Sequence, residues 1–135
     1  MNALLQKVAG LGLPQDDYAI FGSGPLLVRG VIDSVNDIDI ICRGAAWEHA
    51  LSIGEMQHLE QYDVDIVALD DGRITLGRSW GIGEFDIDQL IDSAEIIEGL
   101  PFVRLEYVSA YKKIANRPKD QAHLSALAAF EQPAQ

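Results

Sequence analysis

Cysteine, positive charge, aromatic rings and long apolar runs are all scarce in this chain. The single cysteine, Cys42, excludes a disulfide framework within the chain. It adjoins Ile40 and Ile41, which marks it as a buried thiol with no chemistry of its own. Lys and Arg number 10 against 21 Asp and Glu, a net charge of −11. Most of such a surface repels a phosphate backbone, so duplex DNA or RNA is excluded as a first partner. Aromatics amount to 7%, and Trp80, beside Gly81, is the one ring placed where a base could stack, so no base preference is legible. No apolar run approaches the roughly 20 residues a membrane span needs. The opening MNALLQKVAGLGLP lacks a sustained apolar core, so neither a signal peptide nor a membrane is expected, and the expected compartment is the reducing cytoplasm.

What is present is apolar mass. Hydrophobic residues make up 48% of 135 positions, enough for a real core in one domain spanning 1–135. Apolar positions Ala3, Leu4, Leu5, Val8 and Ala9 have helical spacing, broken by Gly10, Gly12 and Pro14. Tyr18 to Phe21 reads as a short buried strand, and Pro25 to Arg29 as a short helix with Ser23 as its cap. Ile38 to Cys42 is a second strand, and Ala45 to Leu51 a helix closed by Gly54. Val64–Leu69 and Arg73–Leu76 flank Asp70-Asp71-Gly72, a hairpin signal. Helical turns over Asp86–Ser93, a strand over Phe102–Leu105 and a helix over Val108–Ile114 follow. After Pro118 comes a last amphipathic helix, Lys119–Phe130, with Ala122, Leu124, Leu127, Ala128 and Phe130 toward the core. The expected fold is α+β, a mixed sheet with flanking helices.

Two stretches carry chemistry. In Asp37-Ile38-Asp39 the period of a strand sends both carboxylates to one face, opposite Ile38 and Ile40. Like charges this close disfavour each other unless a cation lies between them, and Mg²⁺ takes carboxylate oxygens completed by water and substrate phosphate. Alone, the pattern also describes two solvated acids. Upstream, Gly22-Ser23-Gly24 lets backbone approach a phosphate where a helix begins. Alone, this too is only a strand-to-helix turn.

Together they resemble the nucleotidyltransferase superfamily of β-type polymerases and minimal bacterial nucleotidyltransferases, whose signature is Gly-Ser, a short gap, then Asp-x-Asp/Glu. Gly22-Ser23 and Asp37-Ile38-Asp39 occupy those places, with Asn36 in the small polar position before the first acid. A second stretch, EYVSAYKKIANRPKDQAHLSAL, resembles the C-terminal signature of a small bacterial branch related to abortive-infection-type nucleotidyltransferase toxins. Lys112, Arg117, Pro118, Lys119 and Asp120 match it. The same residues are also sound local chemistry for a joint between helices. Lys112, Lys113, Arg117 and Lys119 fall within eight positions of an otherwise acidic chain, a natural place for a triphosphate.

The resemblance implies a nucleotidyltransferase fold with a small mixed sheet. It further implies transfer of a nucleoside monophosphate from a nucleoside triphosphate to a hydroxyl on a protein, an RNA end or a small molecule. Asp37 and Asp39 would hold Mg²⁺ or Mn²⁺; Gly22, Ser23, Lys112, Arg117 and Lys119 would bind the nucleotide. The superfamily's third carboxylate has no clear counterpart. Asp65, in YDVDIV, is the favoured candidate; Asp63, Glu84, Asp86 and Asp88 are others, and RITLGRSW offers Thr75 instead of an acid. Without a third acid the chain would be a degenerate member that binds nucleotide or a protein partner, as half of a toxin–antitoxin pair or in a homodimer. A plain α/β domain whose acids confer only solubility needs both motifs to be coincidences. His49, His58 and His123 have no partners at metal-ligand spacing and read as surface or packing residues.

Overall fold

The computed structural model describes residues 2–79 and 85–131; the expectations placed on Trp80 and Glu84 lie outside them. The chain runs through α1 (Ala3–Ala9), a 3-10 turn (Gln15–Asp17), β1 (Tyr18–Phe21), α2 (Gly24–Val28), β2 (Ile38–Cys42) and α3 (Gly44–Ile53). It continues with β3 (Met56–Leu59), β4 (Val64–Leu69), β5 (Ile74–Gly77), α4 (Ile87–Asp92), β6 (Glu95–Ile97) and β7 (Leu100–Phe102), and ends in α5 (Leu105–Ala115) and α6 (Pro118–Glu131).

The strands form one seven-stranded sheet in the order β3-β4-β5-β2-β1-β7-β6. β2 lies antiparallel to β1, with Phe21 opposite Asp39, and parallel to β5, with Asp39 opposite Thr75. β1 is parallel to β7, and the remaining pairings are antiparallel hairpin contacts. The mixed α+β character stands, but the expectation of a small nucleotidyltransferase-type sheet is overturned by the seven strands. The physical reason lies at the two edges. Edge strands β3 and β6 are only four and three residues long and almost wholly exposed, so neither shows the alternation that announces a strand. The strand expected at Phe102–Leu105 lies slightly earlier, and α5 begins where it was expected to end.

Strand periodicity sorts the side chains into two cores. Tyr18, Ile20, Ile38, Ile40 and Cys42 face Leu4, Leu5 and Val8 of α1 and Ala46, Trp47 and Ala50 of α3. Ala19, Phe21 and Ile41 face Leu90 and Ile91 of α4, Val108 and Tyr111 of α5, and Leu127 of α6. Helices therefore cover both sides of the central strands. Burying a large aliphatic side chain such as Ile40 contributes roughly 1.5–3 kcal/mol, so β1 and β2, buried on both faces, form a rigid base for whatever stands at their ends. The last helix departs from expectation: Leu127 is buried, but Ala122, Ala128 and Phe130 are exposed, and the other fully covered side chain is Asp120. No helix among the described residues is long and apolar enough to cross a membrane.

Candidate functional site

The turn after β1 begins at Gly22, whose φ is +64°, a conformation glycine adopts without a steric cost. A Cβ built there would meet Asp39 Oδ2 at 2.7 Å. The Asp39 carboxyl thus rests directly against the Gly22 backbone, and a side chain at 22 would displace it. Asp37 stands one residue before β2, and Ile38 and Ile40 point into the opposite core, as the alternation requires.

Asp37 and Asp39 form no hydrogen bond or ion pair with any described residue. Asp39 is half-buried. Burial first, then the neighbouring Asp37 charge, pushes its carboxyl up to about 6, against the opposing pull of Lys119, Arg117 and Lys112. An unpartnered acid held in this way is a natural cation ligand. Among the described residues no group of three or more His, Cys, Asp or Glu side chains could hold a metal. The described residues therefore offer two carboxylates, a number that suits Mg²⁺ when waters and phosphate oxygens complete the shell.

Opposite the acids lies the joint between α5 and α6. Asn116 ends α5 in the left-handed region, its N–H donating to the Lys112 carbonyl at 2.9 Å. Asp120, third residue of α6, accepts from the Arg117 backbone N–H at 3.1 Å, from Arg117 Nε at 2.6 Å and Nη2 at 3.2 Å, and from Lys112 Nζ at 3.2 Å. Burial would raise the Asp120 carboxyl, but these donors outweigh it and hold it down at about 2. For Lys112, 1% exposed, burial wins over the single carboxylate and pulls the amine below its usual range. Lys112 also donates to Ser23 Oγ at 3.2 Å, so the two stretches singled out in the sequence are joined by a buried hydrogen bond.

Lys112 is enclosed, ion-paired to Asp120 and hydrogen-bonded to Ser23. One expectation is corrected. Ser23 makes no side-chain cap to α2; its hydroxyl instead contacts Lys112 and, at 3.3 Å, His123 Nδ1. Arg117 keeps a partly exposed side chain, and the exposed Lys119 makes no ion pair with a described residue.

Two hollows flank the acids. One, about 150 Å³, is lined by Ser23, Asn36, Asp37, Lys119 and His123 among others. The second, about 190 Å³, is lined by Asp39, Tyr62, Ile66, Thr75, Tyr111 and Arg117 among others. The acid pair and the basic joint each contribute one residue to either side: Asp37 and Lys119 to the first, Asp39 and Arg117 to the second. Tyr111, its ring tilted against Phe21 with centroids 5.0 Å apart, has its phenol pushed up to about 12, chiefly by burial.

Asp65 is not part of this group. In β4, Val67 and Leu69 pack into the α1/α3 core, and Asp65 shares their face, whereas Val64 and Ile66 share the face of Asp39. Asp65 pairs with His58 at 2.8 Å and with Arg78 at 3.3 Å. Asp63 also pairs with His58, Asp86 caps α4, and Asp88 pairs with Arg43. None supplies a third acid beside Asp37 and Asp39. The residue that sequence reasoning missed is His123. Its signal was its spacing: four positions after Lys119 on a helix, it shares that residue's face.

No protein-family model matches the chain, and no curated protein does.

Proposed function

We propose that this chain is a metal-dependent nucleotidyltransferase, moving a nucleoside monophosphate from a nucleoside triphosphate to a hydroxyl acceptor. The observation that carries the reading is a pair of carboxylates, Asp37 and Asp39, without partners among the described residues, set between a glycine turn and the most basic segment of an acidic chain. Mg²⁺ or Mn²⁺ bound there would supply Lewis-acid neutralisation of the phosphates. Asp37 and Asp39 would hold it. Gly22 permits close approach of the phosphate chain, and Lys119 and Arg117 offset the charge that grows on the leaving pyrophosphate. With the phosphates in the Ser23 hollow, an in-line acceptor enters from the side of the Asp39 hollow. Its oxygen bonds to the α-phosphorus, the bond to the bridging oxygen breaks, and its proton passes to solvent. Lys112 acts at one remove, by holding Ser23 and Asp120. Such a chain would work in the cytoplasm on a protein, an RNA end or a small molecule.

The test is incorporation of labelled nucleotide. Asp37→Asn should abolish Mg²⁺-dependent labelling while the melting curve stays nearly unchanged, because Asp37 has no partner among the described residues to lose. Labelling that persists in this variant would refute the assignment. A second reading, binding without transfer, is favoured by the position of Asp65 on the other face of the sheet. Calorimetry separates the two: tight, Mg²⁺-dependent binding with no turnover of any nucleotide supports binding alone.

A further inference from the structure

The proton count around Ser23 assigns a role to His123. Lys112 carries only donors, so Ser23 Oγ accepts from it at 3.2 Å. The Ser23 hydrogen then needs an acceptor. Ser23 is 8% exposed, and the acceptor within reach among the described residues is His123 Nδ1 at 3.3 Å. The reverse arrangement, with Nδ1–H donating, would leave a buried hydroxyl hydrogen without an acceptor among the described residues. Nδ1 therefore accepts, and the ring proton resides on Nε2. That atom makes no hydrogen bond with a described residue, and His123 lines the hollow that also holds Asp37 and the unpaired Lys119. Burial and then the Lys112, Lys119 and Arg117 charges hold the imidazole below its usual range, with Asp120 alone opposing them, which agrees with a neutral ring.

The geometry points to His123 as a neutral donor that reads the terminal phosphate of the bound nucleotide through Nε2–H, its tautomer fixed by Ser23 and, behind it, by Lys112. This rests on the nucleotidyltransferase reading for the identity of the ligand, but not for the tautomer. The hollow then offers an anion one cation, Lys119, and one oriented neutral donor, while Asp37 reaches the same anion only through a metal. Lys112 and Ser23 are positioning residues: they set the ring and do not touch the ligand's last phosphate.

Two measurements test it. In nitrogen-correlated NMR spectra of the histidine rings at neutral pH, His123 should show a fully protonated Nε2 and a bare Nδ1, and Ser23→Ala should relax the ring to the tautomer mixture of a free neutral imidazole. In calorimetry with Mg²⁺, the four α,β-methylene nucleoside triphosphates and the matching diphosphates are compared. His123→Phe should weaken the best triphosphate about five- to tenfold, as the loss of one hydrogen bond implies, and leave its diphosphate within about twofold. His123→Gln, which keeps an N–H donor, should recover part of the preference. An Nδ1–H or doubly protonated ring in the wild type overturns the proposal. So does an unchanged triphosphate preference in folded His123→Phe. A wild type that binds neither ligand sinks the functional reading together with the phosphate role of His123; where the wild type does bind, an unchanged preference in His123→Phe sinks that role and leaves the functional reading standing.

Discussion

Asp39 is held in a state it would not choose in water. Its carboxyl is pushed up to about 6 by burial and by Asp37, against an unfolded value near 3.9. Between those values the folded chain binds the extra proton, so stability falls as pH rises through this window and then levels off above it. Holding the acid at about 6 costs its ionised form about 3 kcal/mol at neutral pH. Asp39→Asn should therefore raise the melting temperature at pH 8 and leave it almost unchanged at pH 4, with scanning calorimetry at the two pH values as the check. A variant melting identically to wild type at both would show that the acid carries no such cost. A bound divalent ion removes the same cost, so Mg²⁺ should stabilise the wild type and lose that effect in Asp39→Asn. The pair itself was legible, because alternation in Asp37-Ile38-Asp39 fixes which face each side chain takes. The burial of Lys112 was not: its match to the signature put it on the nucleotide, whereas its enclosure depends on contacts with Ser23 and Asp120, residues 89 and 8 positions away. For His123 the helical spacing from Lys119 marked its face, but not its partner, which lies 100 positions upstream.

Among the elements, the joint between α5 and α6 does most to assemble the site. Asp120 accepts from Lys112 and from Arg117 in a nearly closed ion cluster, with Lys112 and Asp120 1% and 0% exposed. Removing one member leaves its partner buried and uncompensated, which typically costs about 3–5 kcal/mol. Asp120→Asn should show a loss of this size in urea denaturation. The double change Lys112→Met with Asp120→Leu should recover most of it, because apolar replacement of a whole buried pair is often neutral or better. A double variant as unstable as the single one would mean that the joint depends on the shape of the cluster and not on its charge. The sequence announced this joint through Pro118 and Asp120, a helix-opening proline and an acid near the helix start. It did not announce the edge strands, since β3 and β6 lack alternation, and it misplaced the buried face of α6. Apolar spacing suggested a stripe ending in Phe130; the helix instead buries Leu127 and a charge, leaving Phe130 53% exposed.

Across the whole molecule, a charge of −11 surrounds one small basic joint. Long polyanions meet repulsion over most of the surface, whereas a short triphosphate with its own cation meets only the local field of Arg117 and Lys119. Duplex DNA should accordingly fail to shift in a gel even at low salt; retention that fades as salt rises would indicate a basic surface larger than this joint. The central strands tie the two halves of the site together, for β1 delivers Gly22 and Ser23 while β2 delivers the acids across an antiparallel pairing.

The buried Asp120 has a consequence beyond the site. It sits near the head of α6, which covers little else besides Leu127, so the final helix is moored chiefly by the cluster that borders the hollows. Any ligand that drew Arg117 away from Asp120 would slacken that mooring. Occupancy at one end of the sheet would then be felt as protease sensitivity along the tail of the chain.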